Sequence, residues 1–291
     1  MIVMNGDGTK WLTGCGIGCA VLIVILALVG YGGYLLVQNV IDEAEDIGRT
    51  ISEVTDEYGE IRDYTPRADG RITPKMVEDF LSVRSTTEPT RSEISGRIVE
   101  LESQIGTFEE GKKPGVWEVI NLIRDGAGTI PLLAKFHGER AQALLEQGQP
   151  LGEYVYVYVL SYHCFLKKPI GDGPQFLTIG RDNNTSWDPE RNPEDVSDER
   201  AIYFGRATRA QFRSFYQNLL DRSGEPDSDS NPEWITAVRE EMEKLDSQPG
   251  RVPWQDGLPQ VITESLEPYR SRLEAAYDGI LNPIELMSLD H

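Results

Sequence analysis

The feature that most constrains this chain is a run without any charged side chain, from Leu12 to Val37. An α-helix needs roughly 20 consecutive apolar residues to cross the ~30 Å hydrocarbon core of a bilayer. Because backbone polar groups inside lipid must be hydrogen-bonded within the segment itself, a lone spanning segment has to be helical. We therefore predict a transmembrane helix over residues 11–37, preceded by a short tail over residues 1–10.

Aromatic residues stand at both ends of this run, where membrane helices carry their interfacial side chains. Trp11 lies at one end, and Tyr31 and Tyr34 lie near the other. At ~1.5 Å of rise per residue, the two ends are ~30–35 Å apart along a helix. We predict that these three residues anchor the helix at the two membrane surfaces.

Two glycines, Gly14 and Gly18, lie four residues apart near the start of the predicted helix. Small residues at this spacing let helix backbones approach each other closely. The spacing indicates a contact with a second copy or with another membrane protein, and ordinary glycine usage in a membrane helix is the simpler alternative. The anchor resembles those of many bacterial single-pass proteins, and this resemblance implies no activity.

A cleaved signal peptide and a lipoprotein signal are the alternatives to an uncleaved anchor. The apolar region of a signal peptide covers about 7–15 residues and ends at a small-residue cleavage site. This run is longer, and the candidate sites near Gly30 and Gly32 are poor. In the lipobox-like sequence Leu12–Cys15 the cysteine precedes the apolar stretch, whereas a lipobox cysteine follows it. We therefore expect an uncleaved anchor.

The charge distribution indicates the orientation and excludes one class of partner. The chain has a formal net charge of −20, and Asp7 and Lys10, the charged side chains before Asp42, cancel each other. Positive charge is retained on the cytoplasmic side of a membrane. We therefore expect a single-pass protein of the inner membrane, with a cytoplasmic N-terminus and an extracytoplasmic, for example periplasmic, ectodomain. Phosphate backbones and anionic lipids repel that acidic remainder, which excludes nucleic-acid binding.

Apolar residues at helical spacing predict a mainly α-helical chain, with a helical stalk over residues 38–61 and an all-α, bundle-like ectodomain over residues 62–291. Self-association of the stalk and packing of the stalk on its own ectodomain remain open alternatives. The stalk stripe consists of Val40, Ile47, Ile51, Val54, Tyr58 and Ile61.

Within the ectodomain, Thr73-Pro74 and Asn231-Pro232 are helix-start signals, Pro89 is expected to break or kink a helix, and Gly148 is expected to cap one. Apolar residues at helical spacing predict further helices and a final turn at Asn282-Pro283. The predicted helices are Pro114–Arg124, Ile130–Gln147, Ala207–Arg222, Asn231–Leu245 and Gln260–Ile280.

The segment Glu153–Leu166 has high β-propensity but no second strand-like run to pair with it. We favour a buried helix over a strand. Its tyrosines are expected to pack in the core, with a ligand pocket as the alternative. Residues 167–200 are polar and predict a long loop or an irregular flap. A segment of this kind is the expected place for a binding element, and a loop without any function is the alternative.

Constellations that suggest chemistry have simpler explanations. No cofactor is expected, because the histidines His137, His163 and His291 lack metal-ligand spacing. A His163–Cys164 base and nucleophile pair would need a third group. Acid pairs such as Glu240-Glu241 are expected to be exposed. Incomplete calcium-loop patterns occur at Asp227, Asp229 and Asn231, and at Asp182, Asn184, Ser186 and Asp188.

These observations lead to three functional hypotheses. The first is a membrane-anchored, non-enzymatic interaction or scaffolding protein, for example an accessory subunit of a larger membrane complex. The second is an extracytoplasmic ligand-binding or sensing domain, which predicts a sizeable apolar cavity with a few convergent polar groups. The third is an unrecognised hydrolase, which requires clustered ionisable groups in a cleft. The expected partners are the bilayer, through residues 11–37, and a membrane protein or a second copy.

Overall fold

A computed structural model describes residues 49–50, 52–106, 129–175, 177–179, 185–187, 192–223 and 230–287. The predicted tail, the membrane helix over residues 11–37 and the helix Pro114–Arg124 lie outside these residues. Within the described ranges, no helix has both the length and the apolar character that a membrane crossing requires.

The described chain is mainly helical, as the sequence predicts. Residues 52–58 are helical and lead into a 3₁₀ turn at Ile61–Asp63. The structure also contains a 3₁₀ turn at Glu267–Tyr269 and a short antiparallel hairpin, formed by β1 (Leu177–Ile179) and β2 (Thr185–Trp187). The helices are α1 (Pro74–Thr86), α2 (Glu88–Gly106), α3 (Thr129–Gln147), α4 (Leu151–Val159), α5 (Pro193–Arg222), α6 (Pro232–Ser247), α7 (Gln260–Leu266), α8 (Arg270–Ala276) and α9 (Asn282–Leu286).

The tyrosine- and valine-rich segment is helical, which confirms the preferred interpretation. Helix α4 continues directly into a π-helical turn at Leu160–Phe165, and every residue from Tyr154 to Phe165 is buried. A helix that is apolar on all faces belongs in a core. Helix α4 contacts α1 and the turn at Ile61–Asp63, while the π-helical turn contacts α7. The segment is therefore the central element around which the other helices pack.

Local signals in the sequence set several helix ends as predicted. The Thr73 hydroxyl accepts a hydrogen bond from the backbone of Met76 at 3.3 Å, and Pro74 opens α1. The Asn231 side chain accepts from the backbone of Glu233 at 3.0 Å at the start of α6. After α3, Gly148 adopts a φ of +63°, a conformation that glycine takes without steric cost.

The start of α5 corrects the prediction of a loop over residues 167–200. The helix begins at Pro193, fourteen positions before the predicted Ala207, and the Asn192 side chain caps it by accepting from the backbone of Glu194 at 3.2 Å. Its first turns are mostly polar, so they lack the apolar stripe from which a helix is inferred. The Asn-Pro-Glu start is nevertheless the same signal that opens α6.

The predicted continuous helix Gln260–Ile280 is also wrong. The structure divides it into α7, a 3₁₀ turn and α8, and α8 ends at Ala276. Pro268 lies in the 3₁₀ turn. Proline has no backbone N–H and its ring crowds the preceding turn, so it interrupts an α-helix at this point.

A glycine before α1 occupies a position that other residues cannot take without strain. Gly70 has a φ of +74°, and a Cβ atom added there would lie 2.6 Å from Cγ of Trp234. Trp234 is itself buried and stacks on Trp254 with ring centroids 5.8 Å apart. The loop before α1 is therefore fitted closely against the aromatic core.

We expect Gly70→Ala to lower the free energy of unfolding by about 2 kcal/mol or more, because it combines backbone strain with a steric clash. The measurement is urea unfolding followed by tryptophan fluorescence. Gly96→Ala in α2 is the control, since a Cβ there meets nothing within 4 Å and alanine is the better helix former. Equal stability of the two variants would contradict the assignment of Gly70.

Candidate ligand-binding cavity

A cavity of about 490 Å³ lies between the 52–61 segment and α3. This volume is within the range of about 300–1,000 Å³ that small-molecule sites occupy. Most of its wall is apolar, as such sites require. The lining residues are Val54, Thr55, Gly59, Glu60, Ile61, His137, Arg140, Ala141, Leu144, Leu151 and Met287.

Helical spacing explains how α3 forms one wall. His137, Arg140, Ala141 and Leu144 follow one another at steps of three, one and three, which places them on one face of a helix. All four line the cavity. The polar pair therefore lies one turn before the apolar pair, and the wall changes from charged to apolar along the helix.

The opposite wall comes from the predicted stalk stripe. Val54 and Ile61 are 3% and 6% exposed, and both line the cavity. Over this part of the stripe the apolar side chains thus face their own domain. The earlier members Val40, Ile47 and Ile51 lie outside the described residues, so self-association of the stalk stays a prediction.

The polar end of the cavity holds a neutral imidazole beside a fixed positive charge. Nη2 of Arg140 lies 3.1 Å from Nδ1 of His137. A guanidinium can only donate, so Nδ1 accepts and the proton of the ring is on Nε2. Burial, together with the charge of Arg140, lowers the pKa of His137 to about 4. His137 is therefore an uncharged hydrogen-bond donor at neutral pH.

Behind Arg140 lies a buried carboxylate that three guanidinium groups share. Glu285 Oε1 is 2.9 Å from Arg84 and 3.8 Å from Arg91, and Oε2 is 3.3 Å from Arg140. These four side chains are at most 7% exposed. Burial by itself raises the pKa of Glu285, but the three guanidiniums outweigh it and the pKa is lowered. Glu285 is thus ionised.

Backbone and aromatic groups supply the remaining partners of this arginine cluster, which we define as Arg84, Arg91, Arg140 and Glu285. The carbonyl of Ala276, at the end of α8, accepts from Arg84 at 2.6 Å and from Arg91 at 3.1 Å. The guanidinium of Arg84 also lies 5.1 Å from the ring centre of Tyr162. Such cation–π contacts stabilise a desolvated guanidinium.

The structure places the other singled-out residues as follows. Trp11, Gly14, Gly18, Tyr31 and Tyr34 lie outside the described residues, so the predictions for them remain untested. The same holds for Asp227 and Asp229, and for Asp182, Asn184 and Asp188 of the calcium-like patterns. Asn231 caps α6.

The tyrosines of α4 and the π-helical turn pack in the core, as preferred. Tyr154, Tyr156, Tyr158 and Tyr162 are at most 3% exposed, and none lines the cavity described above. A more open cavity of about 440 Å³ borders the predicted flap near Lys167, and these tyrosines do not line it either. Part of the predicted loop over residues 167–200 lies outside the described residues, so a binding element in it stays a prediction.

His163 and Cys164 do not form a catalytic pair. The Cys164 thiol donates to the carbonyl of Pro253, while Nδ1 of His163 is bonded to the carbonyl of Lys168. Burial raises the pKa of Cys164 to about 12, so the thiol is not ionised at neutral pH. Within the described ranges, no three His, Cys, Asp or Glu side chains are grouped to hold a metal ion.

The expectation that Glu240-Glu241 is exposed is wrong for Glu241. Its carboxylate is 1% exposed, lies 3.1 Å from two nitrogens of Arg251, and accepts from the backbone of Trp254 at 2.8 Å. The ion pair between Glu241 and Arg251 holds the loop after α6 against the core. Adjacent positions on a helix face different directions, so one acid of a pair can be buried while the other is solvated.

The arginine cluster was not predicted from the sequence. Glu285 is separated from Arg84 by 201 positions and from Arg140 by 145, so no local motif connects them. One local signal was available: Arg84 follows Phe80 by four residues, which puts a charged side chain on the apolar face of α1. A charge on such a face needs a buried partner.

We expect Glu285→Gln to destabilise the protein by about 3–5 kcal/mol, because it leaves three buried guanidiniums without their carboxylate. Urea unfolding followed by tryptophan fluorescence measures the change. Glu78→Gln is the matched control, since Glu78 forms a two-pronged ion pair with Arg272 on the exposed surface, where loss of a pair has little effect. Equal effects of the two substitutions would refute the structural role of Glu285.

We also expect His137 to make stability depend on pH. Its pKa is about 4 in the folded protein and ~6.5 when unfolded. The unfolded state therefore binds the proton more readily, and His137 removes up to ~3 kcal/mol of stability as the pH falls from 6.5 to 4. Unfolding free energies at several pH values measure this effect. The loss should be smaller in His137→Gln, and identical pH profiles would contradict it.

Comparisons with protein-family models, with curated proteins and with solved structures gave no significant match to this chain.

Proposed function

We propose that this protein is a membrane-anchored domain that binds a small, mainly apolar molecule. The observation that carries the proposal is the cavity between the 52–61 segment and α3, with its apolar walls and its polar end at His137 and Arg140. Such a combination of apolar lining and few convergent polar groups is typical of ligand sites. The sequence hypothesis of a ligand-binding domain required a cavity of this kind.

The membrane attachment in this proposal is based on the sequence. The uncharged run Leu12–Val37 and its aromatic flanks favour an anchor. The positive charge of Lys10 on the N-terminal side favours a cytoplasmic tail and an extracytoplasmic remainder.

The interaction or scaffolding role stays a prediction. Its main supports, the anchor and the contact face at Gly14 and Gly18, lie outside the described residues. Among the described residues, the large apolar side chains that are exposed are Val99 and Ile202, one on α2 and one on α5. Two separated side chains do not form an apolar patch of the kind that marks a protein interface, so the cavity favours ligand binding.

A cavity-filling substitution tests the proposal. In the full chain, reconstituted in detergent-free lipid nanodiscs, we expect saturable binding of 1-octanol by isothermal titration calorimetry after subtraction of empty nanodiscs. Ala141→Phe should weaken this binding at least tenfold, because the ring occupies the cavity. Ala210→Phe is the matched control, the same change at an exposed position of α5.

Two outcomes of the binding measurement would contradict the proposal. If the original chain does not bind 1-octanol beyond the nanodisc background, or if Ala141→Phe binds it as well as Ala210→Phe does, the cavity is not a ligand site. Thermal unfolding of both variants verifies that a loss of binding does not come from a loss of fold.

A further inference from the structure

We infer that the more open cavity of about 440 Å³, which borders the predicted flap at Lys167, binds a free α-amino acid with an apolar side chain. This cavity shares no lining residue with the one between the 52–61 segment and α3, so it is a second site for a different class of ligand. The inference depends on a lysine in an unusual backbone conformation, on two opposite charges without partners, and on an exposed apolar side chain.

Three segments form the walls of this second cavity. They are the π-helical turn with the residues that follow it, helix α5, and the loop between α6 and α7. Two hydrogen bonds hold the first and the third segment together. The Cys164 thiol donates to the carbonyl of Pro253 at 3.1 Å, and Nδ1 of His163 donates to the carbonyl of Lys168 at 3.0 Å. The loop and the start of the flap are therefore fixed against the π-helical turn.

Lys167 has a backbone conformation that glycine usually takes. Its φ is +55°, and it lies where the chain leaves the π-helical turn. Helices commonly end on a residue of this left-handed conformation, and glycine is preferred there because it has no Cβ. A lysine at such a position is strained, and strained residues are concentrated at functional sites. The side chain of Lys167 lines the cavity, and we assign it to ligand binding.

The cavity presents two opposite charges that are without partners. Within the described part of the chain, neither Lys167 nor Asp198 has a side-chain hydrogen bond or an ion pair, and both line the cavity. Lys168 also lines it, but its ammonium lies 5.4 Å from the ring centre of Tyr277, which is not part of the lining. Burial lowers the pKa of His163, so this imidazole is neutral. One ammonium and one carboxylate are thus available to a ligand.

A zwitterion matches both of these charges. The carboxylate of an amino acid can accept from the ammonium of Lys167, while its own ammonium donates to the carboxylate of Asp198. An amino acid has no net charge at neutral pH, so the net charge of −20 does not repel it as it repels a simple anion. A plain amine would leave Lys167 unpaired, and a plain carboxylate would leave Asp198 unpaired.

The apolar part of the lining indicates the side chain of the ligand. Ile170, Val252 and Pro253 belong to it, and so does Ile202 of α5. Ile202 is 51% exposed, and among the described residues it is one of two large apolar residues on the surface. A ligand side chain that covers Ile202 would remove this apolar surface from water, which is favourable. A branched aliphatic side chain such as that of leucine is therefore expected.

The test compares L-leucine with two analogues that each lack one of its charges. In 4-methylpentanoate the ammonium is missing, and in 3-methylbutylamine the carboxylate is missing. All three are titrated at pH 7.5 into the full chain in nanodiscs by isothermal titration calorimetry. Leucine should bind about fivefold more tightly than either analogue, or better, because each analogue loses a charge-assisted hydrogen bond at a partly solvated site. Saturating 1-octanol should change the leucine affinity by less than about twofold.

Substitutions of Lys167 test its role in binding. Lys167→Met should weaken leucine binding about fivefold or more, because the ammonium is lost. Lys135→Met is the matched control, since Lys135 is 50% exposed on α3 and lines neither cavity. Lys167→Gly should weaken leucine binding to the same degree without a fall in the melting temperature, because glycine relieves the backbone strain. This variant separates a loss of binding from a loss of fold.

Substitution of Asp198 tests the other charge. Asp198→Asn should also weaken leucine binding about fivefold, whereas Asp221→Asn, an exposed position near the other end of α5, should not.

Several outcomes would overturn the inference. They are no binding of leucine, equal binding of leucine and either analogue, and equal effects of Lys167→Met and Lys135→Met. Competition between leucine and 1-octanol would place the amino acid in the first cavity and would also overturn it. None of these results depends on whether 1-octanol itself binds, so the proposed function and this inference can fail separately.

Discussion

The ion pairs of Glu285 connect parts of the chain that are far apart in sequence. Through its carboxylate, α9 is joined to Arg84 of α1, Arg91 of α2 and Arg140 of α3, while the hydroxyl of Tyr154 in α4 donates to the same group. Burying charges in this way costs solvation free energy, and apolar side chains of similar volume often give a more stable core. The cluster therefore contributes more to the uniqueness of the arrangement than to its stability, because the carboxylate has to meet all three arginines at once.

The cavity and the cluster are linked through Arg140, which belongs to both. On one side its guanidinium contacts Glu285, and on the other it holds the imidazole of His137 in a single tautomer. The cluster thus keeps Arg140 and His137 in fixed positions at the polar end of the cavity.

The helices could be predicted from the sequence wherever local physics decides them. Thr73-Pro74, Asn231-Pro232 and Gly148 mark helix ends because the capping bonds and the dihedral angles that they favour are formed within a few residues. The helix over Tyr154–Phe165 followed from the absence of a partner strand. In contrast, the ion pairs of Glu285 join segments up to 201 positions apart, and the sequence contains no motif that connects them. The burial of Glu241 depends on a loop that folds back to bring Arg251 against it, which helical spacing alone does not indicate. The cavity is formed in the same way, from walls that meet only in the folded chain.

The order of the cluster along the chain has a consequence for synthesis on the ribosome. Arg84, Arg91 and Arg140 emerge long before Glu285, which is separated from Arg84 by 201 positions. Until α9 appears, the three cations lack the carboxylate of Glu285, so desolvation of this part of the core is unfavourable. Contacts of such long range are formed late and slow the folding of a domain. The arginine cluster can therefore be completed only after α9 has emerged.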